Sequence, residues 1–452
     1  CDSFVLGYNG LASSTSTLNA SVVKFQHAIG LKANSHWTEA TGSTIVTNSL
    51  LGVKYWVAKA DEEVDPLYSE YHRDGDAEAG TATVTYRNPY ALPLAFASNG
   101  AIRDITFALP TNPPEGYELD GGIYKLKEEW KNALWSPFAR MNSIYAAMTG
   151  DSTLTVYDPI DSTLTVDGGM RREANAWSHA VFKTEKNNST ARIVLTFVAP
   201  DTLSPIYCYF PSYYTREATM YVNGEKQANP LYPECANIAT VLSLGTFLPG
   251  ETVTVELSIE KYGEFYLIDS IPYFYTIDEA DLTRATNILQ AGGINLTRAD
   301  DDHFCGTLTA TEGFTTVQTT IPYDAGWQIE VDGAAVTGYQ TMDAMLAFDL
   351  PDAGTYEITL RYRPSIYTVG LLASLAALLL FAAIVTLEIL RKKNRISVSG
   401  RSFFGRILLF LLPPFPKADE KNAFEEAATD TPKKGNGSKG KKQQQKKNGK
   451  AK

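Results

Sequence analysis

The sequence predicts a mainly β protein with some α: tandem β-sandwich modules in an extracellular region, one C-terminal transmembrane helix and a disordered basic tail. Short alternating segments rich in Thr, Val and Tyr recur between 152 and 362, which is typical of antiparallel sheets. The segment 365–387 contains no charged residue. From Lys433 onward the chain is mostly Lys, Gly, Gln and Asn, a composition that cannot bury a core.

These patterns divide the chain into six parts. We expect a mixed α/β extracellular region at 1–150, a β-sandwich module at 151–275, a helix with a second β-sandwich module at 276–364, the transmembrane helix at 365–390, a cytoplasmic basic and interfacial segment at 391–416, and a disordered Lys-rich tail at 417–452.

The first region mixes helical and strand patterns. Helical spacing of apolar residues predicts a helix over 19–29, and the run 50–57 is strand-like. The acidic segment 61–80 lacks a fixed calcium-ligand spacing, so we interpret it as a solvated loop. Residues 127–149 have helical spacing, which Pro137 interrupts.

Alternation then predicts a series of strands with one helix among them. Asp278 is the expected N-cap of that helix, which should end at Gly292. The expected strands are 81–87, 152–157, 162–166, 192–198, 206–210, 218–222, 239–244, 252–259, 304–311, 315–322, 327–331, 345–350 and 355–362.

A weak internal sequence similarity, called an echo below, links the two β-rich segments. Asn223-Gly224 and Asp332-Gly333 each suit a tight hairpin turn. Each is followed, 26 or 21 residues after its glycine, by a further glycine that opens an alternating strand, Gly250 or Gly354. Two successive modules of one kind would explain this echo, and so would a shared strand pattern without a shared module.

The uncharged segment is long enough to cross a membrane. As a helix, its 23 residues span about 34 Å, whereas a bilayer's hydrocarbon core is about 30 Å thick. Its outer flank offers Arg361 and Arg363, and the other flank carries Arg391, Lys392, Lys393, Arg395, Arg401 and Arg406. Since cytoplasmic flanks collect Lys and Arg, we place the body outside the cell and the tail inside. A buried helix of a soluble protein is the alternative.

Charge and motifs exclude several functions. Residues 391–452 carry a net charge of +12 in a chain of net −11, so residues 1–390 carry −23. That acidity argues against nucleic-acid binding. No HExxH, GxSxG, Walker or GxGxxG motif occurs. Asp300-Asp301-Asp302 before His303 favours a solvated turn over a metal site. We therefore assign no catalytic, cofactor-binding or metal residue.

Cysteine and aromatic residues leave alternatives open. Cys208 and Cys235 either form a bridge or stay as two free thiols, and Cys1 is either a lipidated first residue or the result of a cut through a longer chain. Aromatic residues near Arg and Asn suit stacking on sugars, although Tyr and Trp also fill sandwich faces. The candidate glycan contacts are Trp130, Trp135, Arg140 and Asn142.

Several blocks together resemble the extracellular C-terminal part of the bacterial YfhO family over about residues 1–390. They are Gly7-Tyr8-Asn9-Gly10 with Ser13-Ser14-Thr15, residues 42–55, residues 88–96, residues 136–142, residues 321–333, and Leu360-Arg361-Tyr362-Arg363-Pro364 with the final span. The order and spacing of these blocks carry the resemblance. In the family, the region matched by Gly7-Tyr8-Asn9-Gly10 lies inside the outer domain with further chain before it, so the resemblance favours a cut at Cys1 over a lipidated start. The Lys-rich extension from Lys433 departs from the family.

This resemblance implies a polytopic glycosyltransferase of the GT-C type. Its implied partners are the lipid bilayer, a polyprenyl-phosphate sugar and a cell-surface polymer such as lipoteichoic acid, in the bacterial plasma membrane. The family's key acid lies in an early outer loop that does not match any segment here, so no catalytic residue is carried over. No cofactor is evident in this portion, and any divalent cation is left to the membrane region. The alternative is a non-enzymatic surface protein, membrane-anchored or a lipoprotein, that binds glycan.

Overall fold

The fold is mainly β, as predicted, with several antiparallel sheets and one long apolar helix near the C-terminus. The computed structural model describes residues 10–14, 18–34, 36–59, 64–71, 83–107, 117–120, 123–126, 136–174, 179–212, 217–228, 239–268 and 272–393. The predicted interfacial segment and Lys-rich tail lie outside these residues, apart from the first three residues of the former. Residues 1–365 form one compact unit, and a second unit begins at residue 366.

The first sandwich contains a five-stranded and a four-stranded sheet, with a smaller three-stranded sheet beside them. The five strands, in spatial order, are Ser162–Asp167, Arg192–Val198, Thr252–Ser258, Thr219–Val222 and Glu225–Lys226. The four are Leu242–Gly245, Ile206–Cys208, Phe274–Ile277 and Tyr157–Ile160. The three are Arg171–Ala174, His179–Lys183 and Glu264–Ile268. Alternation along Arg192–Val198 buries Ile193, Leu195 and Phe197 in the sandwich core.

The second sandwich has the same sheet sizes. Its five strands, in spatial order, are Asn295–Ala299, His303–Ala310, Gly354–Tyr362, Trp327–Val331 and Ala334–Val336. Its four are Tyr339–Thr341, Met345–Asp349, Thr316–Pro322 and Ala95–Ser98. Its core includes Phe348, Ile358 and Leu360, all fully buried.

One strand of the second sandwich comes from far away in the chain. Ala95–Ser98 pairs antiparallel with Thr316–Pro322, and the Ser98 hydroxyl donates to the Thr316 carbonyl across 218 residues. The first region of the chain thus completes a sheet built mostly from the last. The boundaries proposed at 150 and 275 stay predictions.

The two sandwiches share a turn as well as a strand order. Asn223 and Asp332 both have a left-handed backbone, with φ of 48° and 49°. The Asn223 N–H donates to the Thr254 carbonyl at 2.8 Å, and Asn223 Oδ1 accepts from the Thr254 N–H at 2.9 Å. Asp332 makes the same pair of bonds with Glu357, at 2.9 and 2.7 Å. This shared geometry favours two modules of one kind.

The helices share a third core. They are Ala20–Ala28, Ile45–Leu50, Pro137–Thr149 and Glu279–Ala291, with a 3₁₀ turn at Gly100–Asp104. Their common core contains Phe25, Phe138, Tyr145, Tyr157 and Leu282. Three small sheets comprise Tyr55–Lys59 with Thr83–Arg87 and Ser69–Glu70, Ser13–Ser14 with Trp37–Thr38, and Tyr117–Asp120 with Ile123–Leu126.

Several local predictions are wrong, each for a physical reason. The run predicted as a strand over 50–57 begins inside the helix Ile45–Leu50, which a Thr44–Thr47 capping box starts. Pro137 does not interrupt a helix, because it occupies the first turn of Pro137–Thr149, where its missing N–H is harmless. The part of that predicted helix at 127–135 lies outside the described residues. The strand predicted over 152–157 is Tyr157–Ile160.

The helix Ser365–Lys392 contains the predicted transmembrane span. Residues Ile366–Leu390 are long and apolar enough to cross a membrane, with a mean hydropathy of 2.5, and the most apolar stretch of this segment is not buried inside the protein. The apolar side chains therefore suit contact with lipid.

Two smaller expectations concern thiols and acids. Cys208 is a free, buried thiol whose pKa is raised by burial, while Cys235 lies outside the described residues. Asp300 to Asp302 form the exposed turn between two strands, where the Asp300 N–H donates to the His303 carbonyl.

The repeated turn gives a first prediction. Asp332→Ala removes the acceptor of the Glu357 N–H, and it places alanine at a positive φ that Asp tolerates better. We expect a local loss of about 1–2 kcal/mol, so that the Glu357 amide exchanges hydrogen roughly 5–30 times faster. Asp332→Asn keeps the acceptor and should exchange like the wild type. Equal exchange in the Ala and Asn variants would contradict the role given to this turn.

Candidate functional site

Two of the four predicted glycan contacts lie on one helix. Ser136 caps the helix Pro137–Thr149 by accepting from the Ala139 N–H, and Gly150 ends it in a left-handed conformation. The helix carries Arg140 and Asn142 in its first two turns, whereas Trp130 and Trp135 lie outside the described residues.

The Asn142 side chain holds a neighbouring strand. Its Nδ2 donates to the Tyr157 carbonyl and its Oδ1 accepts from the Tyr157 N–H, both at 2.9 Å. The amide thus replaces a ladder partner for the first residue of Tyr157–Ile160. Most of its hydrogen-bonding capacity is engaged within the protein.

Arg140 is half-buried and contacts several elements. Its Nη1 donates to the Ala28 carbonyl at 2.9 Å, and its guanidinium lies 5.6 Å from the centre of the Phe107 ring. Burial lowers the pKa of this guanidinium, and the nearby Tyr209 partly offsets that effect. Contact of these four residues with a glycan stays a prediction.

Next to this helix the structure assembles a group of polar side chains that the sequence did not indicate. Asp65 Oδ2 accepts from the Tyr207 hydroxyl at 2.5 Å, and its Oδ1 accepts from the Leu67 N–H at 2.9 Å. The Asn48 amide donates to the Tyr68 hydroxyl at 2.7 Å, and Thr44 shares a 2.5 Å hydrogen bond with Tyr157. We call Asn48, Asp65, Tyr68, Tyr157 and Tyr207 the Asp65 cluster.

Burial dominates the electrostatics of the Asp65 cluster. It raises the pKa of Asp65, while the hydrogen bonds from Tyr207 and Leu67 oppose the shift. It also raises the pKa of Tyr157 and Tyr207 well above the usual value. The phenols therefore stay neutral donors, and Asp65 keeps a proton to higher pH than an exposed carboxyl does.

The burial of the Asp65 cluster indicates a structural role in packing. Tyr157 and Tyr207 are almost fully buried, and Asp65 is half-buried, which corrects the expectation of a solvated loop at that residue. Asn48 Oδ1 is buried without a hydrogen-bond partner among the described residues. Within the same residues, no group of three or more His, Cys, Asp or Glu could hold a metal ion. Sequence reasoning missed the cluster because its members are separated in the chain.

A pH dependence follows from Asp65. Its pKa is higher in the folded than in the unfolded chain, where it is about 3.9, so the folded state binds more protons between those two values. Stability is therefore lost as pH rises through that window. Asp65→Asn resembles the protonated form and should gain melting temperature relative to the wild type as pH rises from 4 to 7.

The measurement is thermal unfolding of the whole chain in nanodiscs at several pH values. Asp201→Asn, which removes an exposed carboxylate from a loop of the first sandwich, is the matched control and should show no such trend. If the difference in melting temperature between Asp65→Asn and the wild type is constant, or falls as pH rises, the raised pKa assigned to Asp65 is wrong.

Comparison with solved structures adds no functional argument. A cycloisomaltooligosaccharide glucanotransferase from Paenibacillus sp. shares 9% identity over 50% of this chain, with a TM-score of 0.20, and the chain spans 51% of that enzyme's length. A conserved protein of unknown function from Pseudomonas aeruginosa shares 9% identity over 45% of this chain and 92% of its own, with a TM-score of 0.12.

Comparison with protein families is decisive. No curated protein matches this sequence significantly. The family model of the bacterial membrane protein YfhO, however, matches residues 2–374. That stretch includes both sandwiches and the beginning of the apolar helix. The chain belongs to the YfhO family of bacterial membrane proteins.

Proposed function

We propose that this chain is the outer, C-terminal portion of a protein that transfers a sugar from a polyprenyl-phosphate carrier to a cell-surface polymer of the lipoteichoic acid type. The observation that supports the proposal is the family match over residues 2–374, together with the GT-C-type chemistry that resemblance to this family implies. The β-rich body would position the acceptor polymer or support the membrane region. Any divalent cation that the reaction uses would lie in that membrane region.

No step of bond making is assigned to the described residues. The Asp65 cluster is mostly buried and internally hydrogen-bonded, so it offers no open acid or base to a substrate. Arg140 and Asn142 lie beside it and are engaged with Ala28 and Tyr157. The body's proposed part is therefore binding and placement rather than chemistry.

The proposed orientation has the body outside the cell and the basic end inside. Its support is the asymmetry of Lys and Arg around the span, with two before it and a cluster from Arg391 onward. Protease added to intact cells should digest the chain before Pro364 and spare the C-terminal end, as read by antibodies against each end. Digestion of the tail with the body spared would reverse the topology and refute the proposal.

A deletion tests the role of the body in transfer. In the native host, replacing residues 151–362 by a flexible linker should abolish sugar on the surface polymer, because the acceptor is no longer held near the membrane region. Deleting 417–452 is the matched control and should leave transfer unchanged. The sugar content of purified polymer is the readout, and blotting of the membrane fraction confirms that each variant is inserted. Normal transfer by an inserted 151–362 deletion would reject the role.

A further inference from the structure

The outer surface of the second sandwich carries a pocket lined by ionisable side chains alone. Its lining consists of Arg298, Asp302, His303, Arg361 and Arg363, around a cavity of about 320 Å³. We call it the cationic pocket. Three guanidinium groups and an imidazole face a single carboxylate, so the lining favours an anionic ligand.

Strand geometry places these side chains together. Along Gly354–Tyr362, Ile358 and Leu360 point into the core, so Arg361 projects from the opposite face. His303 lies directly across from Arg361 in the antiparallel ladder. The Arg363 N–H donates to the Gly326 carbonyl at 2.7 Å, which fixes the chain just beyond the strand. The pocket is therefore built on a sheet rather than on a free loop.

The three arginines of the pocket differ in their side-chain contacts. Arg298 forms an ion pair with Asp300 at 2.5 Å. Within the described part of the chain, the side chains of Arg361 and Arg363 form no hydrogen bond or ion pair. Arg361 is half-buried and Arg363 exposed. A guanidinium presents a planar fork of donors that matches two oxygens of a phosphate, so this pair is ready for such a ligand.

The pocket is tied covalently to the membrane span. Only Pro364 separates Arg363 from Ser365, where the apolar helix begins. Two peptide units reach at most about 7 Å, and the headgroup layer on each side of a bilayer is roughly 5–8 Å thick. Once the helix spans a membrane, Arg363 therefore lies close to the headgroups, whichever way the protein faces.

We propose that the cationic pocket binds the phosphate of an anionic membrane lipid, with Arg361 and Arg363 as its ligands. Asp302 moderates the positive charge and accepts a hydrogen bond from a hydroxyl next to the phosphate. Phosphatidylglycerol carries both groups, whereas the choline of phosphatidylcholine would meet the guanidinium groups with like charge. This inference does not depend on sugar transfer and survives if that proposal fails.

Hydrogen exchange of the full chain in nanodiscs tests the proposal. Phosphatidylglycerol at ten times its Kd in a phosphatidylcholine nanodisc should slow exchange of the Tyr362 and Arg363 amides about tenfold. The Arg361→Gln/Arg363→Gln variant should lose this effect. Arg171→Gln/Lys226→Gln removes the same charge from exposed positions of the first sandwich and should keep it. The Arg361→Gln/Arg363→Gln variant keeps the basic residues that follow the span, so loss of the effect in that variant separates pocket binding from attraction to those residues.

Further experiments distinguish lipid phosphate from free phosphate and check that the variants fold. Exchange within 345–349 reports whether the second sandwich is intact in each variant. The Arg361→Lys/Arg363→Lys variant keeps the charge but removes the planar donor forks, so it should show a weaker effect. No slowing in the wild type, or equal slowing in the Gln variant, overturns the proposal. Equal slowing by inorganic phosphate in phosphatidylcholine nanodiscs overturns the assignment to a lipid.

Discussion

The helix Pro137–Thr149 is the element on which the arrangement of the body depends. The Phe138 ring stacks on Tyr275 at 4.3 Å and meets the Tyr157 ring edge-on at 4.9 Å, and both tyrosines belong to the first sandwich. At its other end, the Met148 carbonyl accepts from the Asn99 N–H, just beyond the strand that completes the second sandwich. One helix therefore contacts both sandwiches, and loss of its buried aromatic contacts would loosen the first of them. Removing a buried Phe or Tyr typically costs several kcal/mol.

Local sequence signals predicted the features that depend on local chemistry. Asn223-Gly224 and Asp332-Gly333 predicted their turns correctly because few residues tolerate a positive φ. Asp278 predicted the start of a helix correctly, because its side chain accepts a hydrogen bond from the Asp281 N–H in the first turn. Contacts between residues far apart in the chain could not be predicted from local sequence patterns. Ala95–Ser98 is buried on both faces and does not alternate, so nothing marked it as a strand.

The site was harder to predict than the fold for the same reason. Asp65 appeared to be one acid among many in a polar loop, and only the fold brings Tyr207 to it from 142 residues away. In the sequence, Arg361 and Arg363 were informative as flanks of a span and as part of a block that resembles the family. Their place in a pocket depends on strand register, because the antiparallel ladder sets His303 directly across from Arg361.

Local charge and net charge act over different distances in this protein. Residues 1–390 carry −23, which by itself would repel an anionic membrane. At physiological salt, however, charges farther than about 8 Å from the surface are largely screened. Arg363 is separated from the apolar helix by one proline, so its guanidinium can lie close to the headgroups, where each cation near an anionic surface contributes about 1 kcal/mol. The proposed contact with headgroups therefore depends on the charge of the cationic pocket rather than on the net charge of the body.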